Sequence, residues 1–292
     1  MKLFTHISQI RELLRANTLK TIIFNFRMLP WQQAIRLPIL LYENIDYRLT
    51  TGKIVFIHDT ETLHFGDLQI GQSLYFPAKR GMTTTLIIQG RLEVGHRVKF
   101  RSGSTIHIAP NAICRLNDRV TFGERANLVC YKKITAGPLV SFSWDCSIFD
   151  TNFHFLIDSD NNVKNRNKEI VIGGNCWIGH HSVVAKGARL NDWTIVASNS
   201  LVNKDFSTIT NCVLAGVPCK VVKDNIKRIF DTELEQELEK YFTEHPESDS
   251  YALPHTHTHT LSHKWRQKLK IYEDTGYRFR RIHRSKTYRI AC

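Results

Sequence analysis

The sequence lacks the features that would place the chain in a membrane or in a disulfide framework. No apolar run approaches the ~18–20 residues that a bilayer-spanning helix needs; Thr21–Phe24 and Leu37–Tyr42 are far too short. The first residues carry neither the apolar stretch nor the small-residue cleavage site of a signal peptide. The seven cysteines, Cys114, Cys130, Cys146, Cys176, Cys212, Cys219 and Cys292, are scattered, with no C-x-x-C pair and no metal-like cluster. This usage predicts reduced thiols in a cytoplasmic protein that holds no metal.

Net charge is nearly absent from the middle and concentrated at the ends. The formal net charge is +13. Residues 1–50 hold seven Lys/Arg against three Asp/Glu, and residues 261–292 hold ten against two. A nearly neutral body with basic ends suits contact with an anionic surface, such as a membrane face or a saccharide intermediate, although a solvated tail has the same composition. No nucleic-acid-binding motif accompanies the charge, so nucleic acid is not expected as a partner.

What the sequence does hold is a six-residue repeat. Stepping by six from Ile172 meets Ile178, Val184, Leu190, Val196 and Val202, all aliphatic. The residues that follow them are Gly173, Gly179, Ala185, Asn191, Ala197 and Asn203, small or turn-forming. Four places after each aliphatic come Cys176, Ser182, Ala188, Thr194 and Ser200, again small. A helix would repeat near 3.6 and a strand near 2, so six fits neither alone. It fits short strands joined by tight turns, three to a coil, with the aliphatics stacked inward from coil to coil. A weaker ladder runs upstream through Ile88, Val94, Phe100 and Ile106, slips to Ile108 and Cys114, and slips again to Phe122, Leu128, Ile134, Val140 and Cys146. The polar, Asp/Asn-rich stretch 157–168 breaks the register and reads as a loop thrown out from one coil.

The flanks read as helical. Ile7, Ile10, Leu13 and Leu14 give an amphipathic helix with Arg11 and Arg15 on its other faces. Leu234, Leu238, Tyr241 and Phe242 give another, with Asp231 or Thr232 as its cap. The expected organisation is a cap region of helix and short strands over 1–84, a solenoid over 85–222, a helix over 223–245 and a basic polar tail over 246–292. The tail begins with alternating histidines, His255–His259, which read as an exposed polar segment.

At IGGNCWIGHHSVVAKGARLNDWTIVASNSLVNKD and LAGVPCKVVK, the chain resembles the hexapeptide-repeat acetyltransferases, which include galactoside, maltose and capsular or lipopolysaccharide O-acetyltransferases. The resemblance covers about 85–225. It implies an all-β fold, a left-handed parallel β-helix of hexapeptide repeats with flanking N- and C-terminal helices. It also implies a homotrimer with active sites between subunits, acetyl-CoA as co-substrate, and a sugar or lipid-linked saccharide acceptor. In the stretch WDCSIFDTNFH it implies His154 as general base. A neutral imidazole can take the proton of an acceptor hydroxyl as that hydroxyl attacks the thioester, with no acyl-enzyme. Asp145, Asp150 and Asn152 are the candidates for orienting the ring or holding the acceptor.

The resemblance further implies an oxyanion donor at the Trp177–His180 turn. There Gly179 allows close approach and His180 supplies a backbone amide where many relatives have Ser or Gly, while Trp177 lines the pantetheine groove. Ser198 and Asn203 would touch the cofactor, and Lys204, Lys220 and Lys223 its phosphates. The expected function is acetyl transfer to a sugar hydroxyl in surface-polysaccharide biosynthesis, in the cytoplasm or peripherally at the inner face of the membrane. The competing readings are a xenobiotic or amino-acid acetyltransferase of the same fold, a γ-type carbonic anhydrase holding zinc through histidines such as His154, His180 and His181, and a scaffold without chemistry.

Overall fold

The six-residue step builds three walls. The structure is a computed structural model that describes residues 12–42, 44–73 and 82–253. Its strands sort into three parallel sheets, and the chain passes from the first to the second to the third and back again. Pairing joins equivalent strands of successive coils: Ile178 with Val196 and Val196 with Leu214 in the first sheet, Val184 with Val202 in the second, Ile172 with Leu190 in the third. The chain is a left-handed parallel β-helix. Its first corner leads from the first sheet to the second, its second corner from the second to the third, and its third corner back to the first.

The ladder residues form the core. Ile172, Ile178, Val184, Leu190, Val196 and Val202 are at most 1% exposed. Full burial of such side chains is worth ~1.5–3 kcal/mol each. The small residues four places on, Cys176, Ser182, Ala188, Thr194 and Ser200, are buried at the corners. The left-handed backbone falls on a third set, Asn175, His181, Gly187, Trp193 and Asn199. It does not fall on the Gly173–Asn203 set that the turn reading favoured. Glycine at 173 serves space instead, because a Cβ there would stand 2.5 Å from the Asp192 amide nitrogen in the next coil.

The register slips upstream have a simple cause. The middle coils use four-residue strands such as Thr105–Ile108 and Ile113–Leu116, in which the second and fourth side chains both point inward. Ile106 and Ile108 therefore share one strand, and the inward ladder skips by two. Phe100, Phe122 and Phe142 occupy one column of the first sheet, with rings stacked 4.4 and 4.5 Å apart and 9° from parallel.

The solenoid begins far earlier than residue 85. Ile39–Leu41, Ile45–Asp46 and Lys53–Phe56 are the first strands of the three sheets, and they pair with Leu68–Gln72, Thr84–Ile88 and Arg91–Val94. The early coils hide their period because a 3-10 turn, Thr60–Thr62, enlarges the third corner. The helix Thr18–Met28 covers the open edge of Ile39–Leu41. Asn25 donates to the Ile39 carbonyl at 2.7 Å and accepts from its amide at 3.1 Å, while the Thr21 hydroxyl serves Leu41 in the same way. Side chains thus satisfy an edge that would otherwise invite another strand. Most of the amphipathic helix read around Ile7 and Ile10 lies outside the described residues, as does the alternating-histidine segment.

At the other end, Cys212–Ala215 turns back through Gly216–Cys219 onto Lys220–Asp224, the one antiparallel pair in the first sheet. A second unit starts at Asp231. It contains the expected helix, Thr232–Glu244, whose first turn is capped by the Asp231 carboxylate accepting from the Glu233 and Leu234 amides. No helix among the described residues is long and apolar enough to cross a membrane.

Candidate functional site

The second corner carries the excursion and the candidate base. The chain leaves the second sheet after Ser147–Phe149 and returns at Ile170–Ile172. Between them Leu156–Ile157 and Val163–Lys164 form a small hairpin, turned by the Asp158 carboxylate accepting from the Asp160 and Asn162 amides. Asp150 anchors the base of the excursion. Fully buried, it accepts from the amides of Tyr131, Lys132 and Lys133 at 2.7–2.8 Å.

His154 stands exposed just beyond this anchor, in a tight turn where its amide donates to the Asn152 carbonyl at 2.7 Å. Phe153 before it takes a left-handed conformation, φ 61°, outside the corner series. Such backbone costs ~1–3 kcal/mol and persists only where its surroundings hold it. Here the Thr151 hydroxyl accepts from the Phe153 amide, and Arg166 donates to its carbonyl while lying 4.9 Å over the Phe155 ring. The excursion leaves Phe153, Phe155, Leu156, Ile157 and Val163 exposed. Lys186 and Lys204 follow His154 at the same corner in the two later coils, since each lies between a second-sheet strand and its successor.

The first corner holds a second column of functional side chains. Trp144 stacks on His180 with centroids 4.8 Å apart and planes 13° from parallel, and Ser198 meets His180 Nδ1 at 2.8 Å in the next coil. Beside this column Arg125 forks onto Asp145, with Nε 2.7 Å from Oδ1, and His181 Nε2 lies 3.8 Å from Oδ2. The Arg125 guanidinium holds the Asp145 carboxyl below the usual carboxylate range. Trp177 donates through Nε1 to the Ser143 hydroxyl at 3.0 Å, and Arg228 lies 5.1 Å over its ring. A groove of about 400 Å³ opens alongside, lined by Arg101, Arg125, Ser141, Ser143 and Trp144 among others. Gly179 is closed in from behind: a Cβ would meet the Ser198 nitrogen at 2.6 Å. His180 beyond it is half-buried, and its carbonyl accepts from the Asn199 amide.

No family model matches the chain. Among curated proteins, it is 29% identical over 228 residues to an uncharacterized 24.8 kDa protein in the cps region of Klebsiella pneumoniae, covering 77% of this chain and 96% of that one. It is 30% identical over 127 residues to galactoside O-acetyltransferase of Escherichia coli (strain K12), covering 44% of this chain and 58% of that enzyme. The likeness to that O-acetyltransferase thus spans less than two thirds of its length. Among solved structures, the polySia specific acetyltransferase NeuO aligns with a TM-score of 0.44 at 19% identity, over 72% of this chain and 89% of that one.

The residues singled out from sequence fall into two groups that one chain keeps apart. His154 and Lys204 lie at the second corner; Trp177, Gly179, His180 and Ser198 lie at the first or on the strand leading to it. The strands of the second sheet separate the two. Lys220 and Lys223 sit on the antiparallel return strand opposite Ala215 and Val213, and Asn203 is exposed beside Lys204. The three lysines therefore form no single cluster.

Two of the orienting candidates are engaged elsewhere. Asp150 holds three backbone amides inside the coil, and Asp145 pairs with Arg125 at the other corner, so neither carboxylate orients His154 within the chain. Asn152 stays beside His154 in the turn. The three histidines of the carbonic anhydrase reading are likewise not gathered, for His180 Nδ1 is taken by Ser198 and His154 lies across the second sheet. Sequence reasoning missed Arg125, Ser143, Trp144 and Arg166. Arg125 lies one coil before Asp145, and counting a coil back along the ladder would have found it.

Proposed function

We propose that the protein is an acetyl-CoA-dependent O-acetyltransferase acting on a sugar hydroxyl of a surface-polysaccharide intermediate. The observation that carries this is the exposed, backbone-braced His154 on the excursion, at the same corner as Lys186 and Lys204. His154 takes the acceptor proton as the hydroxyl attacks the thioester carbonyl, and the Gly179–His180 turn offers its amide to the developing oxyanion. Because these groups occupy opposite ends of the second sheet, they meet only when the second corner of one chain faces the first corner of another. That supports a homotrimer with sites between subunits, and the exposed apolar residues of the excursion suit burial there. Lys204 serves a CoA phosphate from the second corner and Lys220 another from the first, with Trp177 along the pantetheine arm. Kinship with galactoside O-acetyltransferase and with a protein of a cps region supports a saccharide acceptor. The basic ends suit an anionic, lipid-linked intermediate at the cytoplasmic membrane face.

The test measures CoA release from acetyl-CoA against a panel of sugars, sugar nucleotides and lipid-linked saccharides, with His154→Ala alongside. Loss of the base lowers kcat by ~10²–10⁴-fold. Undiminished transfer by the variant would overturn the assignment of the base.

A further inference from the structure

The third corner of the first coils holds a cluster that acetyl transfer does not use. His58 follows the strand Lys53–Phe56, His96 follows Arg91–Val94 and Asp118 follows Ile113–Leu116, so they stack on successive coils. His64 and Asp67 close the enlarged corner just before Leu68–Gln72. Asp67 is the centre of the group. Its side chain is 2% exposed, its Oδ2 accepts from the His64 amide at 2.7 Å, and the same oxygen lies 2.8 Å from His96 Nδ1 and 3.7 Å from His64 Nδ1. One nitrogen from each ring and one Asp67 carboxylate oxygen all lie within 4.8 Å of one another.

A buried carboxylate needs a counter-charge. No lysine or arginine pairs with Asp67 among the described residues; its ion partners are the two imidazoles. Imidazole nitrogens and one carboxylate form the donor set of a zinc-class divalent cation, at ~2.0–2.2 Å from the metal. Tetrahedral ligands at that radius stand about 3.4 Å apart. The observed 2.8 and 3.7 Å straddle this value, so small ring movements close the site.

The rings are also held before any ion arrives. His58 stacks on His96 with centroids 4.0 Å apart and planes 5° from parallel, while His64 meets it edge-on at 5.1 Å. Asp118 Oδ1 fixes both layers, 2.7 Å from His58 Nε2 and accepting from the His96 amide at 2.8 Å. Gly95 makes room for that carboxylate, since a Cβ there would stand 2.2 Å from Oδ1. Outer-shell support of this kind orients metal ligands.

We infer that His64, Asp67 and His96 form a binding site for a zinc-class divalent cation, separate from the acetyl-transfer site, which ties the enlarged corner to the next coil. His64 faces solvent, with its side chain 74% exposed, so the fourth position is open to water. The ion is structural: it binds in the folded chain, raises stability and takes no part in acetyl transfer.

The test adds zinc chloride to the full-length, chelator-stripped protein and reads stoichiometry by calorimetry and metal analysis, and stability by thermal midpoint. One equivalent per chain and a zinc-dependent rise in the midpoint, reversed by chelator, are expected. His64→Ala, a surface change that leaves the core intact, abolishes both effects, and Asp67→Asn does the same. His154→Ala keeps the equivalent, as does the triple variant His255→Ala, His257→Ala, His259→Ala, which removes the alternating histidines of the tail. An equivalent retained in His64→Ala, or lost in either of the last two variants, overturns the site, as does the absence of zinc binding by the wild-type protein. Failure of acetyl transfer with zinc still bound through His64 would count against the proposed function and leave this site standing.

Discussion

Replacing Gly179 by alanine tests the candidate oxyanion turn and the coil spacing together. The added Cβ would lie 2.6 Å from the Ser198 nitrogen and 2.9 Å from the Ala197 carbonyl carbon and the Val196 oxygen. These are backbone atoms of the next coil, fixed by the pairing of Ile178 with Val196. Ordinary contact begins near 3.4 Å, so the two coils must part by about 0.8 Å at this corner. Overpacking of that kind costs ~1–3 kcal/mol, which lowers the thermal midpoint by ~2–12 °C for a domain of this size. In the proposed mechanism the same displacement moves the His180 amide off the oxyanion, and loss of one such donor costs ~10²–10³-fold in kcat.

Steady-state CoA release and a thermal melt measure both effects. Gly174→Ala is the control, because its Cβ first meets the Pro138 oxygen at 3.2 Å and needs only a small adjustment. Wild-type kcat and midpoint in Gly179→Ala would refute the reasoning entirely. A lowered midpoint with unchanged kcat would refute the amide's role and leave the packing argument standing.

Phe122→Ala removes the middle ring of the column between Phe100 and Phe142, and a loss of ~3–5 kcal/mol is expected by denaturant unfolding; a loss below ~1 kcal/mol would show that the column collapses to fill the space. Asp145→Asn removes a carboxylate whose pKa is held down mainly by the Arg125 hydrogen bonds. A folded-state pKa below the unfolded one stabilises above the unfolded value of ~4 and loses that contribution as pH falls below it. The wild type should therefore exceed the variant by ~0.2–1 kcal/mol at neutral pH, as for a largely solvated pair, with the gap closing on acid titration; a gap that widens in acid would contradict the pairing.

The periodicity of the sequence determined the architecture. Aliphatics at every sixth place from Ile172 to Val202 can be buried together only in a three-walled coil, and all are buried. The inward ladder was legible even through its slips, because Ile88–Ile106, Ile108–Cys114 and Phe122–Cys146 each kept the step within themselves. His154 was marked by its stretch of sequence, and the excursion by its loss of apolar register.

Tertiary structure decided what the period cannot encode. It placed the first coil at Ile39, since an enlarged corner masks the step, and it set the edge cap on Thr21 and Asn25, whose contacts span 14–20 residues. It assigned Asp150 to three backbone amides and Asp145 to Arg125, though both are near His154 in sequence. In a solenoid, residues nine places apart, such as Asp145 and His154, stand at different corners, and residues one coil apart touch. The same rule gathered His58, Asp67, His96 and Asp118 at one corner from positions up to 60 residues apart.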